Sequence, residues 1–390
     1  MDLTWAENEF NTVALGDQRL KERLIMLATR FSDSPESPIN HACEDWAETK
    51  AAYRFFKNEN IAYQEIIKSH SNATKMRCTE FPTILAIQDT TYFSYSSHPG
   101  TKGLCPLHRK KGKHKDLVTL GLVMHTTLAV STDGLPLGII DQKIYSRPPL
   151  SDKEKEIKRR LHNNSLPVEK KDSYRWIESL QNTHKHFKDH SAIIVTIADR
   201  EADMYDLFQR AQEFEALLLI RANHDRTINK KSRYSEKSGE ALWRLLIKKP
   251  IQAQIIVAIP EHENYPSRIA KCVVTFSAFT MHPCHNHVTM HTNGKQALSL
   301  YAIYVTEKNP PKNIEPIDWM LLTNIPILIA EDAVEKITWY CLRWRIEILH
   351  KILKSGLQVE ECRLSTSERL IRYLAVMSIV AWRIFWLTLI

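Results

Sequence analysis

The sequence predicts a mixed α/β protein, on three observations. Two short apolar runs, residues 84–88 and 193–198, each end in an aspartate. A long amphipathic stretch near the C-terminus carries a polar stripe. The first 75 residues show helical apolar periodicity broken by Ser and Pro. Runs that are β-branched and almost wholly apolar suit strands covered on both faces of a sheet. At 390 residues the chain is long enough for two or three domains with real cores.

Residues 1–75 are expected to form a helical N-terminal domain. Amphipathic stretches at 19–27 and 46–56 flank the turn-forming segment Ser32-Asp33-Ser34-Pro35-Glu36-Ser37-Pro38. Arg19, Lys21, Arg23, Arg30, Lys50, Arg54 and Lys57 would lie exposed on short helices. A DNA-binding domain needs such a surface, and a helical lid would look similar.

Residues 76–222 read as the first part of a catalytic core. The first apolar run leads into Asp89-Thr90-Thr91. Strands follow at 117–130 and 137–144 around a turn at Asp133-Gly134, then a charged helical region at 151–187. The second run leads into Asp199-Arg200-Glu201-Ala202-Asp203, a helix to about Gln212 and a strand at 217–220. Function collects at strand ends in such sheets. Ordinary alternatives stand beside each aspartate: Asp89 closing an Asx turn, Asp199 capping the helix after it. Residues 223–300, with β-rich runs at 255–259, 272–279 and 288–290, read as an insertion. The core resumes over 301–390.

The polar stripe consists of Tyr340, Arg343, Glu347 and Lys354, which fall within about 60° of one another at about 100° per residue. His350 and Lys351 flank it, Cys341, Leu342, Ile346, Leu349, Ile352 and Leu353 fill the opposite arc, and only Arg345 sits among the apolar residues. Asp332 with Glu335 predicts the helix start, and Ser355-Gly356 its end. A solvated face laced by i,i+4 pairs would give the same pattern. Set beside the two strand-end aspartates, Glu347 instead completes a set of carboxylates able to hold two divalent cations for phosphodiester chemistry.

The formal charge of +8 suits a polyanionic partner. The densest cations are Arg109, Lys110, Lys111, Lys113, His114 and Lys115, then Lys230, Lys231 and Arg233. The first cluster, with Gly112 inside it, reads as a loop lying along a phosphate backbone near the cleft, against the alternative of a solvated hairpin tip. Seven scattered cysteines without a CxxC pair imply a reducing cytosol, and Met1-Asp2-Leu3-Thr4-Trp5 lacks the features of a secretion signal. The apolar segment 373–390 has Arg383 at its centre and reads as a core helix rather than a membrane span. His282, Cys284, His285, His287 and His291 could bind zinc, but no second knuckle at standard spacing exists, so a histidine-rich turn is expected.

Together these motifs resemble a DDE transposase of the insertion-sequence-four family, close to the transposon-five type. The family signature of Tyr, Arg, Glu and Lys is met without a gap by Tyr340, Arg343, Glu347 and Lys354. The resemblance also takes in Ala14-Leu15-Gly16-Asp17, Ala52-Tyr53-Arg54-Phe55, the segments beginning at Asp89 and Asp199, and Trp319-Met320-Leu321-Leu322-Thr323. It implies an RNase-H-like core with Asp89, Asp199 and Glu347 as the catalytic triad, binding two Mg²⁺ or Mn²⁺ ions. Tyr340, Arg343 and Lys354 would grip a phosphate, Trp319 would stack on a flipped base, and Arg200 would touch DNA. Arg19, Arg23 and Arg54 would meet the transposon end, and Arg109, Lys110, Lys111 and Lys113 the backbone.

Double-stranded DNA is the implied partner, within a cytoplasmic, nucleoid-associated bacterial protein. A homodimer on DNA is usual in the family. Here the crowded apolar residues near Ile390 suggest C-terminal truncation, with weak synapsis. Two other classes remain open: a transposase-derived DNA-binding inhibitor, and a metal-dependent nuclease on the same fold.

Overall fold

The computed structural model describes residues 4–109, 118–147, 167–228, 240–259, 266–283 and 296–389. It divides into two compact units. The first comprises residues 1–160, 185–193 and 344–390, and the second residues 161–184 and 194–343.

The first unit opens with helices α1 (Thr4–Glu9), α2 (Gln18–Asp33), α3 (Ile39–Ala42), α4 (Trp46–Lys57) and α5 (Tyr63–Cys78). Asp17 starts α2 by accepting the Arg19 N–H at 2.9 Å, and Asp45 starts α4 by accepting that of Glu48 at 2.7 Å. Leu24, Leu27, Ala28 and Phe31 of α2 and Ala52, Phe55 and Phe56 of α4 are buried. The amphipathic stretches of the sequence thus form helices anchored by one face.

Strands β1 (Thr83–Ser94), β2 (Cys105–Arg109), β3 (Val118–Ser131) and β4 (Pro136–Tyr145) follow. β3 pairs antiparallel with the other three. β1 is buried from Ile84 through Gln88 and then half-open from Asp89, so the aspartate sits where the strand leaves the core. Gly121 lies opposite Ser94 at the end of the β1–β3 ladder: a Cβ there would stand 1.9 Å from the Phe93 carbonyl oxygen, so only glycine fits. Gly134, with φ of +92°, makes the β3–β4 turn at the expected place.

Two later segments complete this unit, α10 (Trp344–Lys351) and α11 (Ser367–Leu387). α11 packs on β4, α2, α4 and α5. Its Trp382 donates to the Pro136 carbonyl at 2.9 Å, and its buried Arg372 donates to the carbonyls of Ile61 and Phe56 at 2.8 and 3.1 Å. It is long and apolar enough to cross a membrane, but 72% of its apolar window lies inside the protein, as the core-helix reading expects. Val380, Ala381 and Phe385 are buried too, Ile384 and Trp386 are half-buried, and Leu387 and Leu389 are exposed.

The second unit contains α6 (Tyr174–Phe187, whose last turn lies in the first unit), β5 (Ile193–Ala198), α7 (Tyr205–Glu213), β6 (Leu217–Arg221), the short pair β7 (Thr227–Ile228) and β8 (Glu240–Ala241), α8 (Leu242–Ile247), β9 (Ala253–Ile259), β10 (Arg268–Met281), β11 (Leu298–Glu307), β12 (Asp318–Thr323) and α9 (Ala330–Cys341). Its strands run in the order β5-β6-β12-β11-β10-β9. β5 and β6 are parallel and the rest antiparallel. The β-rich run after residue 223 thus extends this sheet. Its core gathers Trp176, Leu207, Phe208, Leu218, Ile220 and Met320.

Candidate active site and nucleic-acid interface

In the first unit, Asp89 stands opposite Thr126 in the β1–β3 register. Its Oδ2 lies 3.4 Å from Nδ1 of His350, which is buried on α10. Ile346 and Leu349 anchor α10. Glu347 and His350, three residues apart, share a helix face, and Glu347 is exposed in the first turn. Lys354 follows in a π-helical turn, Ile352–Gly356, its Nζ 5.7 Å from the ring of Phe93. Because Asp89, Thr91 and Phe93 lie on one face of β1, His350 and Lys354 both reach the aspartate's side of the strand.

The single signature helix expected from the sequence is not what forms. α9 stops at Cys341, and the Leu342 and Arg343 amides bond to Trp339 and Tyr340 at 3.1 and 2.9 Å, a tightened i→i−3 turn, before α10 begins. The angular spacing of a continuous helix does not carry across that turn. Arg345, the one misfit in the apolar arc, instead lies 4.7 Å over the Trp344 ring, and burial lowers its pKa. The helix start also differs. α9 begins at Ala330, where the Asp332 carboxylate accepts the N–H groups of Leu328 and Ile329 at 2.8 and 3.2 Å, while Glu335 pairs with Lys336.

In the second unit, Asp199 ends β5 and its Oδ1 accepts the Glu201 N–H at 2.9 Å. It caps a 3-10 turn, Arg200–Ala202, rather than the longer helix expected, and α7 begins only at Tyr205. Trp319 on β12 meets Tyr340 on α9 edge-on, with ring centroids 5.4 Å apart. The guanidinium of Arg221, at the end of β6, sits 5.9 Å from the Trp319 ring, donates to the Asp318 carbonyl at 3.2 Å and hydrogen-bonds Tyr340. Burial lowers the Arg221 pKa, with Arg200 and Arg343 adding to the effect and Tyr340 opposing it. Burial likewise raises the Tyr340 pKa; Asp199 adds to this, while Arg343 and Arg221 oppose it.

Trp319 and Tyr340 are thus in contact, with Arg221 beside them and Arg343, Arg200 and Asp199 near enough to act on Tyr340 or Arg221 electrostatically. Arg221 was missed; its only signal is an arginine ending a strand of leucines and isoleucine.

On α4, Trp46, Lys50, Tyr53, Arg54 and Lys57 form one exposed stripe at helical spacing, with Trp46 76% accessible. Arg19 is exposed on α2, and Arg23 is half-buried against Met26. Lys110, Lys111, Lys113, Lys230, Lys231 and Arg233, the side chain of Arg109, and Cys284, His285, His287 and His291 lie outside the described residues.

Asp89, Asp199 and Glu347 offer carboxylate oxygens, the donor type that suits a hard divalent cation. Among the described residues, no three His, Cys, Asp or Glu side chains group closely enough to hold a metal. Asp89 and Glu347 belong to one unit and Asp199 to the other.

β1 runs on to Ser94, so Asp89 lies within the strand and not at its end as expected, while Asp199 directly follows β5. A mixed α/β core bearing these carboxylates, with a basic helical region ahead of it, suits a DNA-processing enzyme. Residues 2–61 match the family model described as transposase DNA-binding, and residues 169–382, more than half the chain, match transposase DDE domain. The chain belongs to the DDE transposase family. It is a DNA transposase with an RNase-H-like core, and DNA is its partner. Asp199 and Glu347 fall inside the DDE match, and Asp89 precedes it.

Proposed function

We propose that this is a cut-and-paste transposase of the insertion-sequence-four family, of the transposon-five type, acting on terminal inverted repeats. Asp89, Asp199 and Glu347 would hold two Mg²⁺ or Mn²⁺ ions, which would supply activation of the attacking oxygen and stabilisation of the leaving one. Tyr340, Arg343 and Lys354 hold the phosphate beside a flipped nucleotide, joined by Arg221 and Arg200. Trp319 gives its base a stacking face, offsetting an unstacking cost of about a few kcal/mol. Arg19, Arg23 and Arg54 hold the terminal repeat, and Arg109, Lys110, Lys111 and Lys113 meet the DNA backbone. The order of events is a nick at the transposon end, attack of the freed 3′-hydroxyl on the other strand to give a hairpin, hairpin opening, and transfer into target DNA.

The observation that carries this reading is the grouping, inside the second unit, of the aromatic pair Trp319–Tyr340 with Arg221, Arg343 and Asp199. A simple hydrolase has no need of a stacking face beside its carboxylate. The test uses an end-labelled duplex carrying the inverted repeat that flanks the gene, incubated with the protein and Mg²⁺. A nick followed by a hairpin product supports the proposal. Nicking that never yields a hairpin overturns it in favour of a nuclease.

A further inference from the structure

The segment Asp199-Arg200-Glu201-Ala202-Asp203 holds three carboxylates in five residues, and all three could be read as metal ligands. Their surroundings separate them. Asp203 has a fully buried side chain, and both its oxygens are occupied. Its Oδ2 accepts the backbone N–H groups of Asn223 and His224 at 2.6 and 3.1 Å and Nη1 of Arg226 at 2.9 Å, while Nη2 of Arg226 closes on Oδ1. A carboxylate offers about four lone-pair sites, so Asp203 has little left for a cation. Glu201 is tied at 2.6 Å to Nη2 of Arg175, whose Nη1 donates to the Asp172 carbonyl at 2.7 Å.

What Asp203 joins is informative. β5 and β6 pair in parallel up to Ala198 and Ile220. The next residues are Asp199 on one strand and Arg221 on the other. Past that point the ladder ends, and Asp203, four residues beyond Asp199, grasps the backbone of Asn223, two residues beyond Arg221. The Ala222 N–H is meanwhile held by the Met320 carbonyl at 2.7 Å. The lateral tie between the two strands therefore continues through a carboxylate where Asp199 and Arg221 emerge.

We propose that Asp203 is a positioning residue: with Arg226 it fixes the exit of β6 against the Asp199 turn, and so sets Arg221 and the arginine cluster in register with the metal-binding aspartate. This rests on the reading of Asp199 as a metal ligand and of Arg221 as a phosphate contact. It assigns Asp203 no cation and no contact with DNA.

The test is a double-mutant cycle on Asp203→Asn and Arg221→Ala, read as affinity for a pre-nicked end duplex in EDTA, where metal chemistry plays no part. Each single variant should bind several-fold more weakly and lower the salt-dependence slope by about one. The double variant should bind no more weakly than Arg221→Ala alone, because the two changes remove one contact. Arg226→Lys, which retains a charge and threatens folding less, should fall between wild type and Asp203→Asn. In Mg²⁺, Asp203→Asn should cleave about ten- to a hundredfold more slowly.

Losses that multiply in the double variant, or an unchanged EDTA affinity in Asp203→Asn and Arg226→Lys, overturn the proposal. Asp199→Asn in the same cleavage assay separates the two levels. If it still cleaves, the metal reading falls, whereas if it is dead while the cycle multiplies, only the role of Asp203 falls.

Discussion

His350 Nδ1 stands 3.4 Å from Asp89 Oδ2, and this contact joins the helix carrying Glu347 to the strand carrying Asp89. Two residues far apart in sequence are thereby held in one unit by a side chain that neither motif predicts. His350→Ala should leave end binding intact and slow Mg²⁺-dependent cleavage by about ten- to a hundredfold, the range for residues that orient metal ligands. Cleavage kinetics across a metal titration check this, and an unchanged rate would remove His350 from the site.

The α4 stripe should carry recognition of the transposon end. Lys50→Ala and Arg54→Ala should each lower the slope of log affinity against log salt by about one, with little change in melting temperature because both side chains are exposed. Trp46→Ala should weaken end binding without unfolding the domain, given its 76% accessibility. Anisotropy titrations at several salt concentrations would show it, and slopes equal to wild type would move recognition elsewhere.

Arg343→Ala and Lys354→Ala should impair hairpin formation more than the first nick, since the nick demands less distortion of the strand. Quantifying both products over time distinguishes these steps. Equal losses in the two would contradict the grip on a flipped nucleotide.

A buried ionic group should make the first unit acid-labile. The Glu9 carboxylate bonds to His70 Nδ1 at 2.6 Å and to Arg77, while His70 Nε2 accepts the Ile139 N–H at 2.9 Å and so is neutral. Burial holds the His70 pKa below 6.5. Burial pushes Glu9 upward, but His70 and Arg77 outweigh it and leave its pKa below 4.5. Both groups bind protons more readily in the unfolded chain, so their contribution is present above those ordinary values and lost as pH falls, first below 6.5 for His70 and then below 4.5 for Glu9. Melting temperature should therefore drop between pH 7.5 and 5.5, less steeply in His70→Gln. Glu9→Ala should cost about 3 kcal/mol, the low end for breaking a buried pair because Arg77 is partly exposed. Thermal scans across pH decide it.

Much of this architecture was legible in the sequence where local rules apply. The strands carrying Asp89 and leading to Asp199 announced themselves as apolar runs, though β1 continues past Asp89 to Ser94, and Asp133-Gly134 marked a turn. The signature helix was legible in composition but not in geometry. A helical wheel assumes unbroken spacing, and the tightened turn at Leu342–Arg343 breaks it. Residues that act through space left little pattern: His350 reads only as a flank of the polar stripe, Arg221 as a strand end, and Asp203 as one more acid in an acidic motif. Only packing distinguishes their roles.

The most direct test of the account compares Asp89→Asn, Asp199→Asn and Glu347→Gln with wild type on one end duplex, measuring binding by gel shift and cleavage in Mg²⁺ in parallel. All three variants should bind the end as wild type does and cut it at no detectable rate. Substantial cleavage by any one of them would contradict its place in the triad.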